Sequence, residues 1–145
     1  MNKSHPDAIV YLVSTVREYA NAYIAAGLAE RGVTDILPAH GSVLYALFTR
    51  SPMQMSELAT LIHRKKNTVT GLISTLERNG YCRREADPKD VRAQLVYITE
   101  KTEALAPLME EVSQKMRDAI WRGFSEQEKE ACAESLERII ANLKP

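Results

Sequence analysis

The chain has 145 residues, of which 45% are hydrophobic and 26% charged, values that suit one globular domain and exclude fibrous and disordered classes. No window approaches the roughly 18 consecutive apolar residues of a membrane span. No cleavage site follows the apolar stretch near the N-terminus, and the two cysteines lie far apart, so we expect a cytoplasmic protein. Its formal net charge is zero.

Two helices are predicted at the start of the chain. Apolar residues recur every three or four positions over about residues 6–31, which indicates a helix, and Gly32 provides its end. Pro38 suits the first turn of a second helix. This helix extends to about Arg50, because Ser51 precedes a proline and is disfavoured in helical backbone.

Two shorter helices follow in the middle of the chain. Ser56 is expected to cap the third helix, and Asn67 is expected to cap the fourth, which ends before Gly80. The residues of the fourth helix that we expect to be buried are Val69, Leu72, Ile73 and Leu76.

A change from helical to strand-like periodicity follows the fourth helix. Residues 81–86 and 93–99 are rich in residues that favour strands. Residues 87–92 between them are polar and favour a turn. The sequence therefore predicts a β-hairpin.

Two helices are predicted after the hairpin. The first follows Thr99 and either begins late or kinks at Pro107. Ser125 and Glu128 have the spacing of a capping box at the start of the last helix. The predicted fold class is mainly α (α+β), in the order α-α-α-α-β-β-α-α.

The middle of the chain is basic although the net charge is zero. Between Leu61 and Gln94, eight Lys or Arg residues accompany four Asp or Glu residues, whereas the rest of the chain has eleven basic and fifteen acidic residues. This distribution fits a protein that presents one face to a polyanion. A solvated charged face is the alternative interpretation.

A helix, a turn, a second helix and a hairpin form a winged helix-turn-helix in outline, and its side chains suit contact with DNA. Basic side chains near a helix start bind phosphates, and short hydroxyl side chains reach base edges in the major groove. The guanidinium of Arg92 is suited to enter a minor groove, and Asp87 and Asp90 are expected to support the wing that carries it. The alternative is an ordinary salt bridge within the hairpin, from Asp87 or Asp90 to Arg92. The candidate DNA-binding residues are Ser56, Arg64, Lys65, Lys66, Asn67, Thr68, Thr70, Gly71, Ser74, Arg78, Lys89 and Arg92.

These segments resemble the DNA-binding core of the MarR-type regulators. The matching motifs are Glu57-Leu58-Ala59, Thr68-Val69-Thr70, Leu76-Glu77-Arg78-Asn79-Gly80, Asp87-Pro88-Lys89-Asp90-Val91-Arg92 and Ile98-Thr99-Glu100-Lys101-Thr102. The chain departs from the family pattern at Thr102, where glycine is usual, at Leu37, where threonine often precedes the proline, and at Gly71, where a basic residue is frequent.

The resemblance implies a sequence-specific transcriptional regulator, a repressor that a small-molecule effector releases from a pseudo-palindromic operator in double-stranded DNA. It also implies a homodimer built by the first helix and the last two helices of both chains. Residues 1–145 then form one domain, with dimerisation helices over about 6–31 and 103–143 around a winged helix over about 38–99. Apolar residues beyond the needs of a winged helix support this dimer: Ile9, Val10, Leu12, Val13, Trp121, Phe124, Leu136, Ile139, Ile140 and Leu143.

Aromatic residues and cysteines supply further candidates. Cys82 and Cys132 are more typical of buried small hydrophobes than of an oxidant sensor, because the first helix, where such sensors of the family mostly carry their cysteine, has none. The histidines lack metal-ligand spacing, so no metal and no cofactor are expected. Candidates for a pocket that binds a small aromatic or lipophilic effector, with core packing as the alternative, are Tyr19, Tyr23, His40, Tyr45 and Trp121.

Two other functions remain open at this point. One is a winged-helix module that binds an acidic protein partner without sequence-specific DNA binding. The other is a regulator that senses oxidants through cysteine. No phosphate loop, nucleophile elbow or acid–base pair occurs in the sequence, and we expect no enzyme activity.

Overall fold

A computed structural model describes residues 5–145, so residues 1–4 of the domain predicted over 1–145 lie outside the described part. Short 3₁₀ turns at Pro6–Ala8 and Pro38–His40 precede the first two helices. The elements are α1 (Ile9–Ala29), α2 (Gly41–Arg50), β1 (Met53–Gln54), α3 (Met55–Leu61), α4 (Lys66–Arg78), β2 (Cys82–Asp87), β3 (Asp90–Ile98), α5 (Glu100–Ile120) and α6 (Glu126–Leu143). The predicted class and order are confirmed, and β1 is an addition.

The three strands form one antiparallel sheet in the order β1-β3-β2. β1 pairs Met53 with Val96, and β2 pairs Cys82 with Ile98. Sequence periodicity did not reveal β1, because two residues are too few to show an alternation. The strand forms where the chain leaves α2 beside the edge of β3, so tertiary packing creates it.

The turn of the hairpin is shorter than predicted. Only Pro88 and Lys89 separate the strands, and the strand β3 already begins at Asp90, so most of the loop expected over residues 87–92 is strand. The physical reason is a local hydrogen bond, in which the N–H of Lys89 donates to Asp87 Oδ1 at 2.9 Å and closes the turn. The register is irregular between Ala86 and Asp87.

Of the predicted serine caps, one is confirmed and one is wrong. Ser125 caps α6: its Oγ accepts the N–H of Glu128 at 3.2 Å, and the Glu128 carboxylate accepts the N–H of Ser125 at 2.7 Å. Ser56 does not cap α3, because the helix starts two residues earlier than this cap requires and its N-cap is Gln54. Here the N–H of Gln54 donates to the Glu57 carboxylate at 3.3 Å, so the N-cap N–H already has an acceptor.

The predicted cap of α4 is also wrong. Its N-cap is Lys65, in extended backbone, and Asn67 lies inside the first turn. The side chain of Asn67 still satisfies one of the free N–H groups, because Thr68 N–H donates to Asn67 Oδ1 at 3.0 Å. The helix therefore begins with Lys66, and both lysines stand at its amino end.

The carboxyl end of α4 is tied to two other parts of the chain. Gly80 has φ +82°, a left-handed conformation that glycine adopts at low cost, and it ends the helix as predicted. The next residue, Tyr81, is 2% exposed and donates its hydroxyl to Asp35 in the segment before α2. The ammonium of Lys101 in α5 lies 4.1 Å from the centre of the Tyr81 ring.

The core lies at the centre of the chain, where α2, α3, α4 and the sheet meet. α5 starts directly after Thr99 and continues through Pro107, so of the two alternatives that the sequence left open, the late start is wrong. α6 has no buried residue in the single subunit. Within residues 5–145 no helix is both long and apolar enough to span a bilayer. The largest fully buried hydrophobic side chains are Leu28, Leu44, Leu47, Leu58, Ile73, Leu76, Val43, Val69 and Val96.

Two helical glycines give a matched test of this packing. A Cβ added at Gly27 in α1 would lie 2.8 Å from Val112 Cγ1 of α5, whereas one at Gly71 in α4 meets nothing within 4 Å. We expect Gly27→Ala to lower the free energy of unfolding by about 1–2 kcal/mol through overpacking. Gly71→Ala should raise it by about 0.5–1 kcal/mol, because alanine favours helix.

Chemical denaturation of both variants checks this prediction. The double variant Gly27→Ala/Val112→Ala serves as a control, because it removes the clashing methyl groups. Equal stability changes at the two glycines would contradict the close approach of α1 and α5.

Candidate nucleic-acid interface

One concave surface joins the start of α3, the first turns of α4 and the hairpin. It encloses a hollow of about 520 Å³. The structure thus brings Ser56, Lys66 and Thr70 together with Arg92, residues that three separate segments of the sequence supply. The complete lining, which we call the α4–wing groove, is Gln54, Met55, Ser56, Lys66, Thr70, Asp90, Val91, Arg92, Ala93 and Gln94.

The amino end of α4 forms one wall of this groove and is positively polarised. Lys65 and Lys66 are exposed beside N–H groups that have no partner within the helix, so side-chain charge and helix dipole have the same sign. The Thr70 hydroxyl donates to the carbonyl oxygen of Lys66 at 2.9 Å. Its oxygen therefore remains free to accept, and it must rotate before it can donate to a base.

The turn between α3 and α4 depends on an unusual backbone conformation. His63 has φ +55°, a left-handed conformation that is uncommon for residues other than glycine. The next N–H, that of Arg64, donates to the carbonyl oxygen of Ala59 at 3.0 Å and closes the end of α3. Sequence reasoning predicted a turn here but not its left-handed residue, because that residue is histidine and not glycine. Arg64 is exposed at the turn, outside the groove lining.

The outer face of α4 is polar and open. Thr68 and Gly71 are exposed, Ser74 is half-buried, and a side chain at Gly71 would meet no atom of the subunit within 4 Å. Arg78 is exposed in the last turn, about 18 Å along the helix axis from Lys66 at 1.5 Å per residue. The face is therefore long enough to follow a groove of double-stranded DNA.

The hairpin, which we call the wing, presents Arg92 to solvent. Its side chain is 92% exposed, and its Nε lies 3.7 Å from Asp90 Oδ1. The salt bridge of the alternative interpretation therefore exists. The guanidinium is also accessible, as a contact with the minor groove requires. Lys89 is exposed at the tip of the wing.

Asp87 connects the wing to the start of α3. It is 5% exposed and accepts two hydrogen bonds, from the N–H of Lys89 at 2.9 Å and from Gln54 Nε2 at 2.7 Å. These bonds, the first above all, hold the pKa of Asp87 below its usual value. The sequence pointed to Asp87 as a support, but its partner Gln54 is 33 positions away and was missed.

A second connection joins the wing to α4, and sequence reasoning gave it no role. The carboxylate of Glu77 accepts the backbone N–H of Arg84 at 2.9 Å, its Nε at 3.3 Å and its Nη2 at 2.9 Å. The side-chain hydrogen bonds from Arg84 hold the pKa of Glu77 below its usual value. The bond thus contributes stability above the ordinary pKa of glutamate and loses it as the pH falls through the lowered one. The motif Leu76-Glu77-Arg78-Asn79-Gly80 was the feature of the sequence that could have drawn attention to Glu77.

The candidate effector residues do not meet in one subunit. Tyr19 and Tyr23 line a mostly apolar hollow of about 350 Å³ between α1 and α5, and Tyr45 lines a different hollow with residues of α3. His40 is 2% exposed, its Nδ1 accepts the N–H of Leu37 at 3.1 Å, and burial lowers its pKa. The rings of Trp121 and Phe124 form a T-shaped pair, with ring centres 5.4 Å apart.

The two cysteines have opposite environments. Cys82 is buried in β2, its thiol lies 3.7 Å from the carbonyl oxygen of Ile73, and burial raises its pKa to about 11. It is therefore a thiol at neutral pH and a buried small hydrophobe, as expected. Cys132 is exposed, so the same expectation is wrong for it in the single subunit. The reason is that α6 packs few of its residues against the rest of the chain.

The predicted dimerisation residues are largely uncovered in the single subunit. Val10 is 75% exposed, Ile140 54% and Leu143 78%, and all three are on α1 or α6. Trp121 and Ile139 are half-buried. The other exposed members of the predicted set are Ile9, Leu12, Val13, Phe124 and Leu136.

The helix pair α3–α4 followed by a two-stranded wing defines a winged helix-turn-helix protein. Comparison with known proteins relates this part of the chain to one family. Residues 37–93 match the model of the MarR family, a segment that includes α2, α3, α4 and the wing as far as Ala93. This segment is therefore similar to the MarR family, the family that the motifs resemble.

Individual relatives agree with this assignment. Over 64 residues the chain is 38% identical to the uncharacterized HTH-type transcriptional regulator YkoM of Bacillus subtilis, an alignment that covers 44% of this chain and 42% of YkoM. The chain thus spans less than half the length of that relative. The fold matches a MarR transcriptional regulator from Methanosarcina mazei with a TM-score of 0.83, 24% identity and coverage of 94% of this chain and 96% of that chain. It also matches BpsR of Bordetella bronchiseptica, with a TM-score of 0.79, 19% identity and coverage of 96% and 95%.

Proposed function

We propose that this chain is a sequence-specific DNA-binding regulator of transcription that acts as a homodimer and represses. The single observation that carries the proposal is the α4–wing groove, in which Lys66 and Thr70 of α4 face Arg92 of the wing. A basic helix start and an accessible guanidinium on one concave surface suit the two grooves of a DNA duplex.

Each part of this surface has a proposed task. Lys65, Lys66 and Arg78 bind phosphates, which positions the protein without reading sequence. Thr68, Thr70 and Ser74 face the base edges of the major groove, and the open space at Gly71 allows close approach. Arg92 enters the minor groove, where the negative potential favours a guanidinium.

A second copy of the chain is the proposed partner of the exposed apolar side chains. Val10 on α1 and Ile140 and Leu143 on α6 are more than half exposed, and burying such side chains is favourable. A twofold axis through these helices would present two copies of α4 to successive major grooves, roughly 34 Å apart. This arrangement requires a pseudo-palindromic operator.

A small aromatic acid is the proposed effector class. BpsR, which shares the fold, is regulated in its DNA binding by 6-hydroxynicotinic acid. In this chain a hollow of about 230 Å³ between α1 and α5 places the Tyr23 ring near Arg31 and Lys115. Both cations contact the carboxylate of Glu111, at 2.8 and 3.1 Å. Glu30 also lines this hollow, so its two cations and two carboxylates balance. An aromatic carboxylate would stack on Tyr23 and replace Glu111 as the partner of the two cations.

The first test is DNA binding by the wing and by the start of α4. Selection from a random duplex library should return a pseudo-palindromic site. On this site Arg92→Ala should lower affinity roughly tenfold without unfolding the protein, which corresponds to one lost groove contact. Lys65→Ala should weaken binding to all sequences alike and reduce the slope of log affinity against log salt by about 1.

The matched control is Lys144→Ala, which removes an exposed positive charge at the far end of the chain and should leave both quantities unchanged. Recovery of no preferred sequence, together with binding to an acidic protein, would instead indicate a protein-interaction module. Wild-type affinity in Arg92→Ala would refute the assigned role of the wing.

The second test concerns the dimer. Ile140→Glu places a charge on the apolar stripe of α6, and Asn142→Glu places the same charge on an exposed polar residue of that helix. Analytical ultracentrifugation should show the wild type and Asn142→Glu at twice the 16.3 kDa chain mass, and Ile140→Glu shifted toward monomer. Affinity for the palindromic site should fall with the dimer. A monomeric wild type would exclude the proposed assembly.

The third test concerns the effector. Thermal unfolding with 6-hydroxynicotinic acid and related aromatic acids should show stabilisation of the wild type, about 2.7 kcal/mol at a ligand concentration 100 times the Kd. Arg31→Gln should remove this stabilisation and leave the melting temperature of the free protein nearly unchanged, because Arg31 is mostly exposed. If no acid stabilises the wild type or releases it from DNA, the proposed effector class is wrong.

A further inference from the structure

The ion pair between Glu77 and Arg84 joins the two parts of the molecule that carry the proposed DNA contacts. Glu77 is the penultimate residue of α4, and Arg84 lies in β2 of the wing. The side chains are 34% and 24% exposed, so water screens the pair only in part. One carboxylate accepts three hydrogen bonds from one arginine, including its backbone N–H.

We propose that the Glu77–Arg84 pair is a positioning joint that fixes the angle between α4 and the wing, so that both enter their DNA grooves as one rigid unit. The inference rests on the proposed DNA binding and adds a residue pair that does not touch DNA. Glu77 acts through Arg84 and the strand that carries it.

The position of the joint in the sheet explains why it matters. β1 supports β3 only at Leu95 and Val96, and Arg84 pairs with Val96. Beyond these residues the wing is a two-stranded hairpin, which is only marginally stable by itself. Arg84 therefore lies in the supported part of the sheet, one rung before the last supported pair, Glu85 and Leu95. A bond from this position to α4 fixes the base from which the two-stranded hairpin projects.

The bond geometry restricts motion as well as distance. The backbone N–H of Arg84 and its side chain both donate to Glu77, so the strand and the side chain are fixed together. A wing already oriented before binding loses less conformational freedom when Arg92 enters the minor groove. A loosened wing would lose most of the benefit of that contact.

A neighbouring ion pair provides a matched control. Arg83 Nε lies 3.0 Å from Glu85 Oε1, but both residues belong to β2, so this pair connects no two elements. Removing its charge by Glu85→Gln changes the charge of the wing as Glu77→Gln changes that of α4, without releasing a joint. A competing anchor also exists, the hydrogen bond between Asp87 and Gln54, and Gln54→Ala removes it.

The test is a double-mutant cycle on the selected duplex. Affinity is measured for the wild type, Arg92→Ala, Glu77→Ala and the double variant, and again with Glu77→Gln in place of Glu77→Ala. If the joint orients the wing, Arg92→Ala should cost roughly tenfold in the wild type but less than about threefold after the joint is removed. In the Glu85→Gln background the cost of Arg92→Ala should remain roughly tenfold. Arg84→Glu combined with Glu77→Arg should restore part of the coupling.

Each outcome decides the matter. A merely structural role of Glu77 would lower the melting temperature and leave the cost of Arg92→Ala unchanged in the folded variant, which would overturn the inference. Loss of coupling in Gln54→Ala alone would assign the positioning role to the Asp87 anchor instead. If the wild type binds no duplex, the proposed function fails and not the joint, so the two failures are distinguishable.

Discussion

Burial of the apolar stripe of α4 is the constraint on which the rest of the structure depends. Val69, Ile73 and Leu76 are fully buried in the core, so the helix can present only its opposite face. That face carries Thr70 and Gly71, and the lysines stand at the end where the helix dipole is positive. Rotating the helix would expose three apolar side chains at about 1.5–3 kcal/mol each. The hydrophobic core thereby sets the orientation of the polar face.

The same division between buried and exposed faces explains how a chain of zero net charge suits a polyanion. Basic side chains outnumber acidic ones between Leu61 and Gln94, whereas acidic side chains outnumber basic ones in the rest of the chain, which includes the helices outside the winged helix. Those helices also carry the uncovered apolar side chains, so the proposed dimer contact and the proposed DNA contact use different surfaces. In the proposed dimer both subunits would be needed, because a single α4–wing groove would read only one half of a palindrome.

Motif order and periodicity predicted the class, the element order and the candidates Ser56, Lys66, Thr70 and Arg92, which the structure brings into one groove. Boundaries were less predictable, because several polar residues compete for each cap. Gln54 precedes Ser56, and Lys65 precedes Asn67, so α3 and α4 begin earlier than the preferred cap residues indicated. Neither choice of cap changes the buried face, which is why the error at the ends left the prediction of the helices intact.

By itself the sequence determined which residues belong to each helix and where along the chain the charged residues lie. The period of apolar residues and the spacing of the motifs are local properties, so both can be read without the tertiary structure. Tertiary structure alone decided how α4 and the wing are joined. The contacts of Gln54 with Asp87 and of Glu77 with Arg84 link different elements, and the two-residue strand β1 exists only beside β3. Such contacts depend on where folding places distant segments, and a period along one segment carries no information about them.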